Sequence, residues 1–194
     1  MTTTGLLLAA GAGRRMGRPK ALVEGWLAHA VASLADCDDV VVVLGARAEE
    51  ARALVPEGAR VTVAEDWVSG MGASLAAGLA LLEDGTAERA LVTLVDLPDV
   101  GRDVCARVLA GVPAGRGALA RASYDDVPGH PVLLGRDHWA GVRRTSAGDR
   151  GARDYLREHP PVLVECGDLA TGADQDRPPG TAVEDPNPGP TAAP

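Results

Sequence analysis

Residues 5–9 form a short, leucine-rich apolar run. It gives way to Ala10-Gly11-Ala12-Gly13-Arg14-Arg15-Met16-Gly17-Arg18-Pro19-Lys20, a glycine-rich loop ending on the only lysine of the 194-residue chain. The run is too short for a free-standing helix and reads as a buried strand. Its exit through small residues lets a ligand approach the backbone. Gly11, Gly13 and Gly17 permit positive φ, so successive amide N–H groups can turn inward as a nest for phosphate oxygens. Arg15 and Lys20 add full charges beside that nest. Every other strongly basic residue is arginine, and a compact ammonium does what the planar guanidinium fork does not. A solitary lysine at the end of such a loop therefore calls for a chemical explanation.

Spacing separates this loop from two better-known phosphate cradles. A dinucleotide fingerprint needs G-x-G-x-x-G opening directly into a helix, but Met16 stands at its last position, Gly17 comes one place late, and Pro19 follows. A P-loop needs Gly-Lys-Ser or Gly-Lys-Thr, and Lys20 lies between Pro19 and Ala21.

The string L-A-A-G-x-[GS]-x-R-M-G-x-P-K, matched throughout by residues 8–20, is similar to the signature of the molybdenum-cofactor nucleotidyltransferases. Arg15, Met16, Gly17, Pro19 and Lys20 carry that resemblance. It implies a three-layer α/β/α sandwich, a Rossmann-like nucleotidyltransferase fold with a mainly parallel sheet. It also implies Leu8, Ala9, Ala10, Gly11, Gly13 and Lys20 around a nucleotide, with Arg15, Lys20 and Asp96 as the catalytic set. Ala10 resembles the cytidylyltransferase branch, where the guanylyltransferase branch usually carries Gly, so the implied nucleotide is CTP.

Apolar residues at helical spacing over 26–34, a valine-rich run over 40–44, a short charged helix over 46–54 and an alternating run over 60–64 continue the chain in the order βαβαβ. That order implies a parallel sheet covered on both faces, with ligands outside the carboxyl ends of the strands. The loop and the segment after Ala64 then face one ligand. That segment, 65–75, resembles the family's N-P-D-W-x-x-G-M-x-x-S-L and precedes a small-residue helix over 76–82. Gly72 and Ser74 at a helix start offer N–H groups and a hydroxyl to the nucleotide. Asp66 is the polar group left in a stretch where Ala64 stands in place of the usual Asn.

A further apolar strand over 89–95 ends in Asp96-Leu97-Pro98. A carboxylate at the carboxyl end of a buried strand is well placed to hold Mg²⁺, and Asp96 matches the family's D-x-P motif. A helix over 101–109 and a strand over 115–121 lead through Asp125-Asp126 into P-G-H-P-V-L-L-G-R-D-H-W, which resembles the family's second-substrate half. The resemblance turns His130 toward a pterin, and Arg136 and Arg153, with Arg143 and Arg144, toward a substrate phosphate. A helix to Glu158 and a strand over 161–166 precede the ending D-L-A-T-G-A-D-Q-D, similar to the family's terminal D-x-D-T-P. There Asp176 is the second metal carboxylate. The match fails at Arg177-Pro178. Residues 1–176 are read as the nucleotidyltransferase domain, and 177–194, rich in Pro, Gly and Ala without apolar periodicity, as a disordered tail.

Charge and composition narrow the partners. A net charge of −8 opposes nonspecific binding to nucleic acid or to anionic membrane, both of which need a basic surface. Cys37, Cys105 and Cys166 are scattered without C-x-x-C spacing, which favours free thiols over disulfides or zinc. The start lacks a charged leader and the first apolar run is too short to span a bilayer, so a soluble, cytoplasmic protein is expected. No Ser/His/Asp constellation or H-E-x-x-H pattern stands out. The resemblance implies transfer of CMP from CTP, or another nucleoside triphosphate, to a molybdopterin-type phosphate acceptor with Mg²⁺. Pyrophosphate leaves, and a molybdenum enzyme receives the product. Two alternatives stay open: an NAD(P)H-dependent oxidoreductase of the nicotine blue oxidoreductase-like branch, and a non-catalytic carrier of the molybdenum cofactor.

Overall fold

The computed structural model describes residues 1–146 and 148–176, so the expected tail from Arg177 lies outside the described residues. The chain runs β1 (Thr3–Ala9), α1 (Trp26–Ser33), β2 (Asp39–Leu44), α2 (Ala48–Arg52), β3 (Arg60–Val63), α3 (Met71–Glu83) and β4 (Arg89–Leu94). It continues through α4 (Arg102–Ala110), β5 (Leu119–Tyr124), β6 (Val127–Gly135), α5 (Arg136–Thr145), α6 (Arg153–Glu158) and β7 (Val162–Glu165).

These strands form one seven-stranded sheet in the order β3-β2-β1-β4-β6-β5-β7. Four of its six pairings are parallel, and only the pairings of β6 with β4 and β5 are antiparallel. The mainly parallel sandwich read from the sequence is therefore the fold. Alternate residues of the central strands feed two cores, as a period of two requires. Leu7, Ala9, Val42, Leu44 and Leu91 face one side with Leu27, Ala51, Val104 and Val108 from α1, α2 and α4. Leu6, Leu8, Val41, Val43 and Val92 face the other with Leu75, Leu79, Trp139 and Leu156 from α3, α5 and α6. With no Phe in the chain, Trp139 is the largest fully buried side chain. Its indole Nε1–H donates to the Leu134 carbonyl at 2.9 Å, and its truncation to Ala is worth about 3–5 kcal/mol.

Several elements differ from the sequence reading: β5 spans Leu119–Tyr124 rather than 115–121, and the stretch after Asp126, read only as a motif, is strand β6. The stretch 136–145 is helix α5, whose buried Trp139 and Val142 stand three apart between the half-buried Arg136 and the exposed Arg143 and Arg144; so short an apolar stripe gives almost no periodic signal. Helix α3 starts at Met71, earlier than expected, directly after Gly70 with φ +107°. Two of the free cysteines are held as protonated thiols: burial pushes Cys37 up to about 12 and Cys105 up to about 11. Among the described residues no helix is long and apolar enough to cross a membrane.

The order of strands fixes where a ligand can go. From β1 the chain steps to β2 and β3 on one side and then to β4 on the other. The carboxyl ends of β1 and β4 thus border a crevice at a topological switch point.

Candidate active site

A cavity of about 390 Å³ occupies that crevice. The end of β1 and its loop supply Leu8, Ala9, Ala10, Gly11, Gly13, Arg15 and Lys20; α3 supplies Ser74, the end of β4 supplies Asp96, and the C-terminal segment supplies Asp176. The loop is held in shape by a few close approaches. Gly13 has φ +60° and an added Cβ there would lie 1.8 Å from the Arg18 carbonyl oxygen, so no other residue fits. Gly17 also has positive φ, whereas Gly11 does not. Gly45, just past β2, admits both Trp67 and the Ala10 carbonyl, which a Cβ would approach to 2.7 Å or less. The Ala10 carbonyl is fixed there by the Ala46 N–H at 3.0 Å.

Lys20 is the hub of the charges. Its Nζ donates to Asp96 Oδ2 at 2.5 Å and to Asp176 Oδ1 at 2.6 Å, and Arg15 Nη1 donates to Asp176 Oδ2 at 2.5 Å. Burial disfavours the lysine's charge, but its hydrogen bonds to Asp176 and Asp96 outweigh that and raise its pKa, so it stays an ammonium. Lys20 and then Arg15 hold the Asp176 carboxyl below its usual range. The Arg15 pair is weak support by itself, since that side chain is 79% exposed. The Lys20–Asp96 pair is sheltered, with only 16% and 14% of the two side chains exposed.

Carboxylate oxygens of Asp96, Asp174 and Asp176 lie within 4.8 Å of one another. Hard oxygen donors of this kind suit Mg²⁺ or a similar divalent ion. Asp174 is the member that sequence reading missed. Its signal was the Asp174-Gln175-Asp176 spacing, where only the second aspartate received a role.

The C-terminal segment reaches the crevice along a set of anchors. The Thr171 N–H and Oγ1–H both donate to Asp99 Oδ2 at 2.6 Å, and the Gln175 N–H donates to the Asp96 carbonyl at 2.9 Å. Between them Gly172, at φ +65°, lies so close to Tyr124 that an added Cβ would sit 2.1 Å from the ring. Residues 171–176 form a strap that carries Asp174 and Asp176 back to the carboxyl end of β4.

Other expected residues end up elsewhere. Gly72 is buried in the first turn of α3, where Met71 and Ser74 rather than Gly72 line the crevice. Asp66 is exposed and lines neither this cavity nor the one beside it; in the 3-10 turn Trp67–Ser69 that follows, the half-buried Trp67 and the exposed Val68 border the crevice instead. Arg136 must be corrected outright. Its guanidinium donates to the carbonyls of Glu83, the last residue of α3, and of Gly85 and Ala87 beyond it, and stacks over Trp139 at 5.4 Å, lining neither of the two cavities. Arg143 pairs with Glu83 on the surface, and Arg144 is exposed.

A second cavity of about 290 Å³ adjoins the first, sharing Leu8, Met71, Leu94 and Asp149 with it. His130, Arg153, Asp174 and Arg121 line it. Burial, and then Arg121, push His130 down to about 4, so its imidazole is neutral near pH 7.

The MobA-like NTP transferase domain family matches over residues 5–162. Nicotine blue oxidoreductase of Paenarthrobacter nicotinovorans is 41% identical over 189 residues, covering 89% of this chain and 91% of the relative. Among solved structures, the Rv0371c homologue from Mycobacterium sp. strain JC1 aligns with a TM-score of 0.76 at 29% identity over 90% of each chain. Rv0371c from Mycobacterium tuberculosis H37Rv, solved as a complex with manganese, aligns with a TM-score of 0.69 at 27% identity over 90% of this chain and 94% of the other. The glycine loop, the switch-point crevice and the family match agree: this chain belongs to the MobA-like NTP transferase domain family, within the nucleotidyltransferase superfamily.

Proposed function

We propose that residues 1–176 form a divalent-metal-dependent cytidylyltransferase that moves CMP from CTP to the phosphate monoester of a molybdopterin-type acceptor and releases pyrophosphate. The observation that carries this reading is the meeting of Lys20 with Asp96, Asp174 and Asp176 where the two cavities adjoin. One cavity takes the nucleotide, and the other takes the acceptor.

The chain's own residues account for the chemistry as follows. Backbone amides of the loop at Gly11 and Gly13, with Lys20 and Arg15, hold the triphosphate and stabilise the charge that grows on it in the transition state. Leu8, Ala9, Ala10 and Ser74 position the base and ribose, and Ala10 favours cytosine. Lys20 and Arg15 are occupied by Asp176 in the free protein, so the triphosphate takes over cations already gathered for it. A phosphate monoester is largely dianionic at pH 7, and its oxygen attacks the α-phosphorus without a general base. Neither a neutral His130 nor the protonated Cys37 and Cys105 is needed as base or nucleophile. Asp96, Asp174 and Asp176 would hold Mg²⁺, which supplies neutralisation of phosphate oxygens when bound; the manganese complex of a relative supports a divalent ion.

A second reading is an NAD(P)H-dependent oxidoreductase, favoured by the 41% identity to nicotine blue oxidoreductase. Hydride transfer needs no divalent cation, so a cluster of three carboxylates favours nucleotidyl transfer. The deciding assay follows pyrophosphate release from each nucleoside triphosphate, with and without molybdopterin, and with Mg²⁺ or a chelator. Metal-dependent release from CTP supports the first reading. NAD(P)H consumption that survives the chelator, without pyrophosphate, replaces it with the second.

A further inference from the structure

The second cavity, although Asp149 and Asp174 also line it, holds two arginines that pair with no carboxylate among the described residues. Arg121, on β5, is fixed by its own strand and by the β5–β6 hairpin: Nε donates to the Gly129 carbonyl at 2.7 Å and Nη2 to the Pro128 carbonyl at 3.2 Å. Its Nη1 donates to nothing among the described residues, and no carboxylate there pairs with it. Arg153, the first residue of α6, likewise has no hydrogen-bond or ion-pair partner among the described residues, although its neighbours Arg150 and Arg157 both pair with Asp154. The two free cations are near enough to repel. Burial, and then Arg153, lower the Arg121 guanidinium below its usual range. An arginine held half out of water, beside a second cation and without an anion, is a cost to folding that a bound anion would remove.

Of the other charges of the cavity, Arg150 is paired with Asp154, and the two carboxylates lie toward the nucleotide side. Asp149 is shared with the first cavity, and Asp174 belongs to the carboxylate cluster with Asp96 and Asp176. His130 is neutral near pH 7 and can donate or accept a hydrogen bond without adding charge. Leu97, Val132 and Leu156 give the same cavity an apolar wall.

We propose that Arg121 and Arg153 form an oxyanion site in this cavity and hold a phosphate group of the second substrate. Assigning that group to an acceptor rests on the transferase reading above; the existence of the site does not. Phosphate is the favoured class because two guanidinium groups offer more donors than one carboxylate has oxygens to fill, while phosphate presents three or four oxygens and up to two charges. Arg121 thereby takes the place that sequence reasoning gave to Arg136.

The test uses the full chain carrying Lys20→Ala, which weakens the competing phosphate cradle, in the presence of a chelator. Inorganic phosphate is titrated calorimetrically, with acetate as the carboxylate probe. Phosphate should bind more tightly than acetate. Adding Arg121→Met should weaken phosphate about tenfold, Arg121→Lys less, and Arg153→Gln about threefold, each loss being that of a charge-assisted hydrogen bond. Because Arg121 also ties down the hairpin, melting curves check that its variants fold. Arg153→Gln decides the matter if they do not, since that side chain holds no structural hydrogen bond among the described residues. Phosphate affinity unchanged by Arg153→Gln and by every folded Arg121 variant overturns the proposal, and so does equal affinity for acetate. Arg121-dependent phosphate binding, when the chain with Lys20 intact releases no pyrophosphate from any nucleotide, would sink the transferase reading and leave the site. Pyrophosphate release with phosphate affinity indifferent to both arginines would do the reverse.

Discussion

The two adjoining cavities are built by opposite means. The first cavity draws half of its lining from one stretch of chain, Leu8 to Met16 with Lys20, and much of what it offers a ligand is backbone. The second cavity is assembled from β5, the β5–β6 hairpin, the turn at 149–151, the start of α6 and the strap at 171–176. What it offers is side chains, each brought by a different element. A site made of backbone must announce itself locally, through glycines and spacing. A site made of scattered side chains need leave no local trace, and Arg121 left none.

The largest expected effect tests the local half. Lys20→Ala removes the ammonium that bridges Asp96 and Asp176, and kcat for pyrophosphate release should fall about 10²-fold or more. Near wild-type turnover in a folded protein would mean that the lysine only neutralises the carboxylates.

Next comes the seam between the halves. Asp96→Asn keeps shape and one oxygen but loses a charge, so CTP binding should lose most of its dependence on added Mg²⁺, with affinity down about tenfold at saturating metal. Asp174→Asn and Asp176→Asn should move the same way by less. A titration in which Asp174→Asn has no effect would remove that residue from the metal set and leave the other two.

A smaller effect is expected from the strap. Gly172→Ala places a methyl against the Tyr124 ring at a φ of +65°, a strain of about 1–3 kcal/mol. The strap should shift, taking Asp174 and Asp176 with it, and KM should rise about threefold to tenfold for nucleotide and acceptor alike. A rise for one substrate alone would show that the strap serves a single cavity.

The smallest effect concerns the hairpin that carries Arg121. Glu165 accepts from the Ser123 hydroxyl at 2.6 Å and from the N–H groups of Gly167, Asp125 and Asp126. Those bonds, Ser123 first, lower its pKa from 4.5 to about 2. A depressed carboxyl pKa means that its stabilisation is complete above 4.5 and is lost as pH falls from there toward 2. Thermal melts should therefore show wild type losing, between those limits, a margin over Glu165→Gln that it holds at pH 7. Parallel pH profiles for the two proteins would show that the carboxylate adds nothing.

The sequence by itself determined the layered α/β architecture, because alternating and helical apolar periods state directly which faces must be buried. It also marked the glycine loop, because Gly13 has no room for a Cβ and the unique Lys20 ends the loop as a compact cation between two carboxylates. It placed Asp96 as well, since a strand-ending carboxylate is visible as the last polar residue of an apolar run. Tertiary structure alone decided the rest. Strap contacts at Asp99, Tyr124 and the Asp96 carbonyl bring Asp174 and Asp176 to a lysine more than 150 residues earlier in the chain. Arg136 and Arg121 are equivalent in sequence terms, yet one closes the end of a helix and the other faces a cavity. Their roles depend on which carbonyls and which cavity the fold sets beside each guanidinium, and those neighbours lie far away along the chain.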